Sequence, residues 1–362
     1  MKQVFFRILS VLLLLALLFA TVGCSCADRG PAVMEYEGVR LTEDIYRYWL
    51  SCYKAQLSYE LNEENRDEIL ALIHENIKKS LVCAGLFTRY GLQLSDSARE
   101  QINRAMEQLV SDLGDGDRAA FEAVTAQYGI GYDGLKIAFS YEQMAVSLRE
   151  YLFGDNGRLS ISRDNYEEYY QETYAHVYMI YIPLVDFVED EDGIRLWDSE
   201  AQQYVYTEKT GEAWKTQMQK IEQIRAALSD PEAGEAAFRK LSETYNEDPS
   251  AENYPGGYYF SKEIDYADYV EQVTAQALTM TAGSFAEVRS DIGVHFLYRA
   301  ASDEGAWEEE DNADFFDGFV DRVRDYYFEF TVAQETVNVA VYDDVIATVD
   351  FDAIPPNWEI YW

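Results

Sequence analysis

Basic residues, histidine and cysteine are scarce in this sequence of 362 residues. It has 29 lysines and arginines against 66 aspartates and glutamates, a net charge of −37, with three histidines and four cysteines. Such an acidic chain repels the phosphate backbone, which excludes nucleic acid as a partner. The histidines lie far apart and no cysteine pair has ligand spacing, so we expect no metal site. The sequence also lacks a G-x-x-x-x-G-K-[ST] phosphate loop and a G-x-S-x-G nucleophile motif, and no cofactor is predicted.

The excess of acidic residues has two interpretations. It keeps the protein soluble and self-repelling, or it favours basic client proteins and tolerates cations near a cell wall. Hydrophobic residues make up 48% of the chain and aromatic residues 15%. This composition allows sizeable cores in two or three domains.

The first residues of the chain carry the one long apolar run. Residues 1–23 begin with basic Lys2 and Arg7, continue with apolar residues and end on small residues before a cysteine. This is the pattern of a secretory signal. The T-V-G-C ending resembles a bacterial lipobox, so lipidation of Cys24 is expected, with Cys26 or ordinary cleavage as alternatives. No later stretch has the roughly 18 apolar residues of a membrane span, and we expect a body anchored by lipid at the extracytoplasmic face of a bacterial membrane.

The first half of the mature chain has helical periodicity. It opens on an alternating segment, Ala32–Leu41, that turns at Glu37-Gly38 and predicts a hairpin. Thr42 follows as the expected cap of the first helix. Helices are predicted at about 42–60, 64–90, 95–113, 118–127 and 133–153.

The second half alternates strand and helix patterns. An apolar strand, AHVYMIYI, begins at Ala175, and the loop after it contains Trp197, which with Tyr204 and Val205 predicts an extra hairpin. Helices are predicted at about 211–229, 233–245 and 264–278, before two short strands that meet at Gly293.

Several short motifs in this half occur in one order. They are AHVYMI around His176, YNED ending on Asp248, PGGYYF, and RSDIGVHFLY, which contains Ser290 and His295. Together they resemble the parvulin-type peptidyl-prolyl isomerases, which open on a strand like A-H-I-L-I and close on one like G-x-H-I-I. The resemblance covers residues 173–300.

The resemblance implies a catalytic cleft that needs neither metal nor cofactor. It places His176 and His295 side by side on adjacent strands, tied by hydrogen bonds that also engage Asp248 and Ser290. Asp248 would act electrostatically near the rotating carbonyl. The apolar wall that holds the proline is expected to come from Phe260, Tyr269 and Phe296.

The whole chain is expected to be an α+β protein. The segment 24–172 is similar in pattern to the helical chaperone domain of PrsA-like and SurA-like foldases. The segment 301–362, with apolar residues at helical spacing from Phe315 to Phe330, would return to complete that domain. The parvulin-like part, with its small antiparallel sheet surrounded by helices, would then be an insertion.

The expected function is that of a membrane-anchored foldase. Its partners would be unfolded or newly exported polypeptides with X-Pro bonds, and the resemblance leaves a homodimer open. The alternative is a holdase chaperone that keeps a degenerate parvulin fold without catalysis. A third interpretation is a surface-binding lipoprotein with an unrelated ligand.

Overall fold

A computed structural model describes residues 30–57, 62, 64–199, 203–264 and 271–360. The predicted signal segment 1–23, the predicted lipidation residue Cys24 and Tyr269 lie outside these residues. The chain forms two compact units, one containing the residues up to Ser160 together with those from Arg324 onward, and the other running from Ile161 to Val323. The described residues are α+β, with small antiparallel sheets.

The first unit begins with the predicted hairpin. Strands β1 (Ala32–Tyr36) and β2 (Val39–Thr42) pair antiparallel. Both turn residues have positive φ, 49° at Glu37 and 77° at Gly38, as a two-residue hairpin turn requires. Strand β11 (Ala340–Val341) pairs with the other edge of β1. The hairpin prediction is confirmed.

Helices make up most of the first unit, as predicted. Thr42 occupies the predicted cap position, but its hydroxyl donates to the Asp44 carboxylate and makes no bond to the helix backbone. The Ser95 and Asp117 side chains do cap their helices by accepting backbone N–H groups. The helices are α1 (Glu43–Gln56), α2 (Arg66–Arg89), α3 (Asp96–Gly114), α4 (Arg118–Thr125) and α5 (Tyr132–Phe153).

The second unit alternates strands and helices. Its elements are α6 (Arg163–Thr173), β3 (Tyr174–Pro183), β4 (Val185–Phe187), β5 (Trp197–Asp198), β6 (Gln203–Tyr204), β7 (Tyr206–Glu208), α7 (Gly211–Leu228), α8 (Glu235–Tyr245), β8 (Tyr258–Ser261), α9 (Glu271–Thr279), β9 (Phe285–Arg289) and β10 (Gly293–Arg299). Four of the strands form an antiparallel sheet in the order β8-β3-β10-β9. The predicted extra hairpin is also present, since β5 pairs with β6 and the Trp197 ring packs edge-on against Tyr204.

The two faces of this sheet have different partners. Because side chains alternate along a strand, even-numbered residues of β3 and β10 share one face. They form a core with apolar residues of α7 and α8, in which Ile180, Phe296 and Phe238 are almost fully buried. Helix α9 packs against β3, β8 and β9, and none of its described residues belongs to that core. The odd-numbered residues, including His295, therefore face the side of α9.

The acidic segment after β10 departs from its prediction. The apolar residues from Phe315 to Phe330 do not form one helix, because 310–315 is a 3₁₀ segment and α10 (Phe319–Glu335) begins only after Gly318. Gly318 has φ +66°, a left-handed conformation that interrupts a helix. A short helix, α11 (Asp343–Ile346), follows. No helix in the described part of the chain combines the length and the apolar character needed to cross a bilayer.

Candidate functional site

His295 lies in the centre of the sheet of the second unit. In β10 it stands opposite Tyr181 of β3 on one side and Val288 of β9 on the other. Its ring stacks on the Tyr181 ring, with centroids 4.7 Å apart and planes 18° from parallel. Only 5% of His295 is exposed. The imidazole is therefore held by two neighbouring strands and removed from bulk water.

The hydrogen bonds of His295 define its tautomer. Nε2 lies 3.0 Å from the Ser290 hydroxyl oxygen, and Nδ1 is buried without a partner among the described residues. The Ser290 hydroxyl can donate to the Gly293 carbonyl 3.4 Å away, which leaves its oxygen to accept from Nε2–H. A buried lone pair without a partner costs less than a buried N–H without one. We therefore assign the proton of the neutral ring to Nε2.

Burial also fixes the charge of His295. It lowers the pKa of the imidazole from 6.5 to about 4, because a charged ring is poorly solvated in this environment. At neutral pH the ring is therefore uncharged. Its role is to pack against Tyr181 and to donate a hydrogen bond to Ser290.

The buried histidine predicts a pH dependence of stability. Between about pH 6.5 and 4 the unfolded chain protonates this histidine while the folded protein does not, so stability falls as the pH falls through this window. The contribution of His295 to the unfolding free energy is expected to change by roughly 3 kcal/mol. Denaturant unfolding at pH 7 and pH 4.5 should show a smaller loss for His295→Phe than for the wild type. Equal losses in both proteins would contradict the assignment.

Tyr181 connects the histidine to the loop after α8. Its backbone N–H donates to the Asn246 side-chain oxygen at 2.8 Å, and its carbonyl accepts from the Glu247 N–H at 3.0 Å. Its hydroxyl donates to the Ile292 carbonyl at 3.1 Å. Burial raises the pKa of the phenol, so the hydroxyl stays protonated. The loop that contains Asp248 is thus attached to the strand residue on which His295 stacks.

Asp248 is the partly exposed acid of this face. One carboxylate oxygen accepts from the Tyr258 hydroxyl at 2.8 Å, and the other accepts from the Ser250 N–H at 2.9 Å. The Asp248 N–H donates to the Asn246 side-chain oxygen at 3.1 Å, the same oxygen that accepts from the Tyr181 N–H. Asp248, Tyr181, Ser290 and His295 therefore form one connected cluster.

His176 lies elsewhere, and the prediction of two histidines side by side is wrong. In the β3–β10 register Tyr181 is opposite His295, and His176 lies five residues away from Tyr181 along β3. Five residues of strand span about 17 Å. An odd separation also turns the side chain to the other face of the sheet. Tyr181 occupies the position that the second histidine was expected to fill.

His176 instead joins three segments of the second unit. Its Nε2 lies 2.7 Å from the Gly256 carbonyl oxygen and its Nδ1 3.2 Å from that of Ala301. The Asp303 carboxylate is 3.4 Å from Nδ1, and the Tyr259 ring stacks on the imidazole at a centroid distance of 4.5 Å. Only 3% of the residue is exposed. These contacts attach the loop before β8 and the segment after β10 to the start of β3.

The loop before β8 supplies a stability prediction with a matched control. A Cβ on Gly257 would lie 2.9 Å from the Val177 carbonyl oxygen and 3.0 Å from His176 Nε2, at a φ of +98°. Gly257→Ala is therefore expected to lower the unfolding free energy by roughly 1–3 kcal/mol. Gly256 has open space at its Cβ position, and Gly256→Ala should change stability by less than about 0.5 kcal/mol. Urea denaturation of both variants checks this, and equal stabilities would contradict it.

The predicted apolar wall is only partly on the His295 face. Phe296 belongs to the core with α7 and α8 on the opposite face, so its assignment to the cleft is corrected. Phe260 stacks with Tyr258 and shares its face, but it is fully buried and contributes to the floor. Tyr269 lies outside the described residues.

Tyr181, Tyr258 and Asn246 are site residues that the motifs did not identify. Side chains alternate between the two faces of a strand, so the sequence does indicate that Tyr181 and His176 lie on opposite faces of the sheet. This alternation was the one signal that could have identified Tyr181. No sequence pattern predicts the bond of Asn246 to the Tyr181 backbone or the bond of Tyr258 to Asp248.

Comparison with protein-family models and with curated proteins finds no match. Among solved structures, the chain is similar to PrsA from Bacillus subtilis, with 16% identity, 89% of this chain and 94% of the other covered, and a TM-score of 0.23. It is also similar to the peptidylprolyl isomerase PrsA from Bacillus cereus, with 14% identity, 86% and 92% covered, and a TM-score of 0.26. The foldase protein PrsA from Lactococcus lactis gives 9% identity, 88% and 97% covered, and a TM-score of 0.24.

Proposed function

We propose that the unit from Ile161 to Val323 is a parvulin-like peptidyl-prolyl isomerase and that the protein assists the folding of exported polypeptides. The observation that carries the proposal is the cluster on one face of the sheet. In this cluster the buried His295 ring stacks on Tyr181 and donates a hydrogen bond to Ser290. Its lowered pKa leaves the ring uncharged at neutral pH. Asp248 is attached to the same strand residue through its loop.

The chemistry required of such a site is limited. Amide resonance opposes rotation of an X-Pro bond with a barrier of roughly 18–20 kcal/mol. An isomerase lowers this barrier by binding the twisted amide better than either planar form. No bond to the enzyme and no proton transfer are required, and a neutral, firmly held histidine is consistent with that.

The cluster divides the work between two kinds of residue. Asp248 is partly exposed and would act on the rotating carbonyl through its charge, as a catalytic residue. His295, Ser290 and Tyr181 are mostly buried and would be positioning residues that fix the sheet and the Asp248 loop. His176 has no part in this proposal beyond the stability of the unit, because it lies on the other face.

A non-catalytic holdase is the second candidate. The two histidines lie apart, and Phe296 is buried on the opposite face. Both facts favour the holdase, because adjacent histidines and a wall containing Phe296 were expected in a catalytic cleft. In that case the fold would bind clients without accelerating isomerisation.

The cellular setting is part of the proposal. Lipidation of Cys24 would anchor the protein at the extracytoplasmic face of the membrane. The helical chaperone domain would correspond to the residues up to Ser160 and from Arg324 onward, and the inserted isomerase, expected at 173–300, to the unit from Ile161 to Val323. The resemblance to PrsA-like foldases also leaves open that the protein assembles as a homodimer.

Two assays on the chain from Ser25 onward test these functions. The first measures prolyl isomerisation of a peptide panel that varies the residue before proline, by a protease-coupled assay or by NMR exchange. The second measures suppression of aggregation of an unfolded client. Accelerated isomerisation supports the isomerase. Suppressed aggregation without any acceleration contradicts it and supports the holdase.

A further inference from the structure

Residues 186–209 form an arm of the second unit that the isomerase proposal does not use. Strands β4 and β7 pair at its base. Further out, the Val188 N–H donates to the Val205 carbonyl at 2.9 Å, the Val205 N–H to that of Leu196 at 2.8 Å, and the Leu196 N–H to that of Val188 at 2.9 Å. This closed ring of backbone bonds joins the three segments of the arm at one point.

One face of the arm is aliphatic and exposed. Residues that stand opposite each other in antiparallel strands share a face, so the side chains of Val188, Leu196 and Val205 lie together. Ile194 precedes Leu196 by two residues, across the bridge formed by Arg195, and shares this face because strand side chains alternate. Ile194 is 63% exposed, Leu196 40% and Val205 37%. The aliphatic face is therefore open to the solvent.

The aromatic residues of the arm occupy the opposite face. The Phe187 ring packs edge-on against Tyr204, which packs edge-on against Trp197. The Arg195 guanidinium lies 4.2 Å from the centre of the Phe187 ring. Arg195 and Trp197 precede and follow Leu196, so their contacts agree with the alternation of side chains. The aromatic rings stabilise the arm by packing on one another, on the side away from the aliphatic face.

The arm is more acidic than the chain as a whole. It contains eight acidic and two basic residues, a net charge of −6, and a third of its residues are acidic against fewer than a fifth in the whole chain. Lys209 pairs with Asp186. Glu189, Glu191 and Asp192 form no ion pair with any residue that the structure describes. The aliphatic face thus belongs to a segment whose own basic residues do not compensate its negative charge.

We propose that the aliphatic face of the arm binds extended segments of unfolded polypeptides in which basic residues flank apolar ones. Contact with Ile194, Leu196 and Val205 would remove apolar surface of both partners from water, and the acidic side chains would attract the basic residues. Charge complementarity selects this partner. A second copy of the chain would present an arm of the same negative charge, and anionic lipid headgroups would also be repelled.

The description of the partner as an unfolded client rests on the proposed foldase function. The preference for basic and apolar residues does not, because it follows from the composition and exposure of the arm. Binding at this face would hold a client independently of prolyl isomerisation.

Binding of a labelled, unstructured peptide tests the proposal. The basic peptide has leucines flanked by lysines in a chain of glycine and serine, and it contains no proline, so the result does not depend on isomerase activity. Two comparison peptides carry glutamate in place of lysine, or serine in place of leucine. The proteins are the wild-type chain from Ser25 onward, Ile194→Ser/Leu196→Ser and the control Leu72→Ser/Val146→Ser, which removes two exposed apolar side chains from helices of the first unit.

The wild type and the control are expected to bind the basic peptide at least about tenfold more tightly than either comparison peptide. Added salt should weaken this binding, because it screens exposed charges. Ile194→Ser/Leu196→Ser should bind the basic peptide at least about fivefold more weakly than the control does, with an unchanged melting temperature because both side chains are exposed. Equal binding by all three proteins, or no preference over the glutamate peptide, would overturn the proposal.

Two further measurements distinguish other occupants of the aliphatic face. Sedimentation of the wild type alone reports binding of a second copy, and flotation with phosphatidylglycerol vesicles reports binding of a membrane surface. Either interaction, if present in the wild type and lost in Ile194→Ser/Leu196→Ser, would overturn the assignment to a polypeptide client. Retention of the basic peptide without either interaction supports it.

Discussion

Asp248→Asn is expected to lower kcat/KM for prolyl isomerisation at least about tenfold, which corresponds to about 1.4 kcal/mol of transition-state stabilisation. The substitution keeps the size of the side chain and an oxygen that can accept from Tyr258 or Ser250, the two present partners. It removes the negative charge that we assign to the rotating carbonyl. Because the shape is kept, KM should change less than kcat.

Asp291→Asn is the matched control for this variant. Asp291 is exposed and follows Ser290 directly, so the same charge is removed close to the cluster but outside it. The control should keep wild-type kinetics within about twofold. Full activity in Asp248→Asn, or an equal loss in both variants, would contradict the electrostatic role.

His176→Ala is expected to destabilise the second unit by roughly 3 kcal/mol. The variant loses the contacts of the imidazole with two carbonyl oxygens, one of which a neutral ring can hydrogen-bond, and the stacking on Tyr259. It also leaves a cavity in a nearly fully buried site. Isomerase activity per folded molecule should stay close to that of the wild type, because His176 does not face the Asp248 cluster. Denaturant unfolding followed by kinetics at a temperature where the variant is folded measures both.

Asp303→Asn tests the carboxylate contact of His176 separately from its other contacts. Asp303 is largely exposed, with 67% of its side chain accessible, so this contact should contribute less than about 1 kcal/mol. If His176→Ala instead abolished catalysis while leaving stability unchanged, the structural role of His176 would be wrong.

The periodic elements were predictable because local pattern determines them. Helical spacing identified α1 to α5, α7 and α8, and alternation around Glu37-Gly38 identified the first hairpin. These signals depend on residues close in sequence. At Gly318 the backbone takes a left-handed conformation that ends one segment and starts another. The apolar spacing does not reveal this interruption, so it predicted a helix from Phe315, whereas the helix begins at Phe319.

The geometry of the candidate site depends on strand register, which the motifs do not encode. His176 and His295 each occur in a recognisable strand, but their relation depends on which residue of β3 stands opposite His295. An odd offset of five residues exchanges the faces of the sheet as well as the position. For this reason Tyr181, and not His176, was the residue to expect beside His295.

Long-range polar contacts were equally out of reach. The bond from Tyr181 to Asn246 joins residues separated by 65 positions, so no local pattern predicts it. Asp248 and Ser290, in contrast, were named from short motifs, and both lie in the cluster around His295.

NMR mapping of a bound X-Pro peptide tests the location of the proposed isomerase site most directly. Amide shifts of the labelled chain from Ser25 onward would be followed during titration with a peptide that the protein isomerises. The proposal predicts the largest shifts at Tyr181, Asp248, Ser290 and His295, with small shifts at His176 and Ala301. Catalysed isomerisation with no shift at Asp248 or His295 would contradict it.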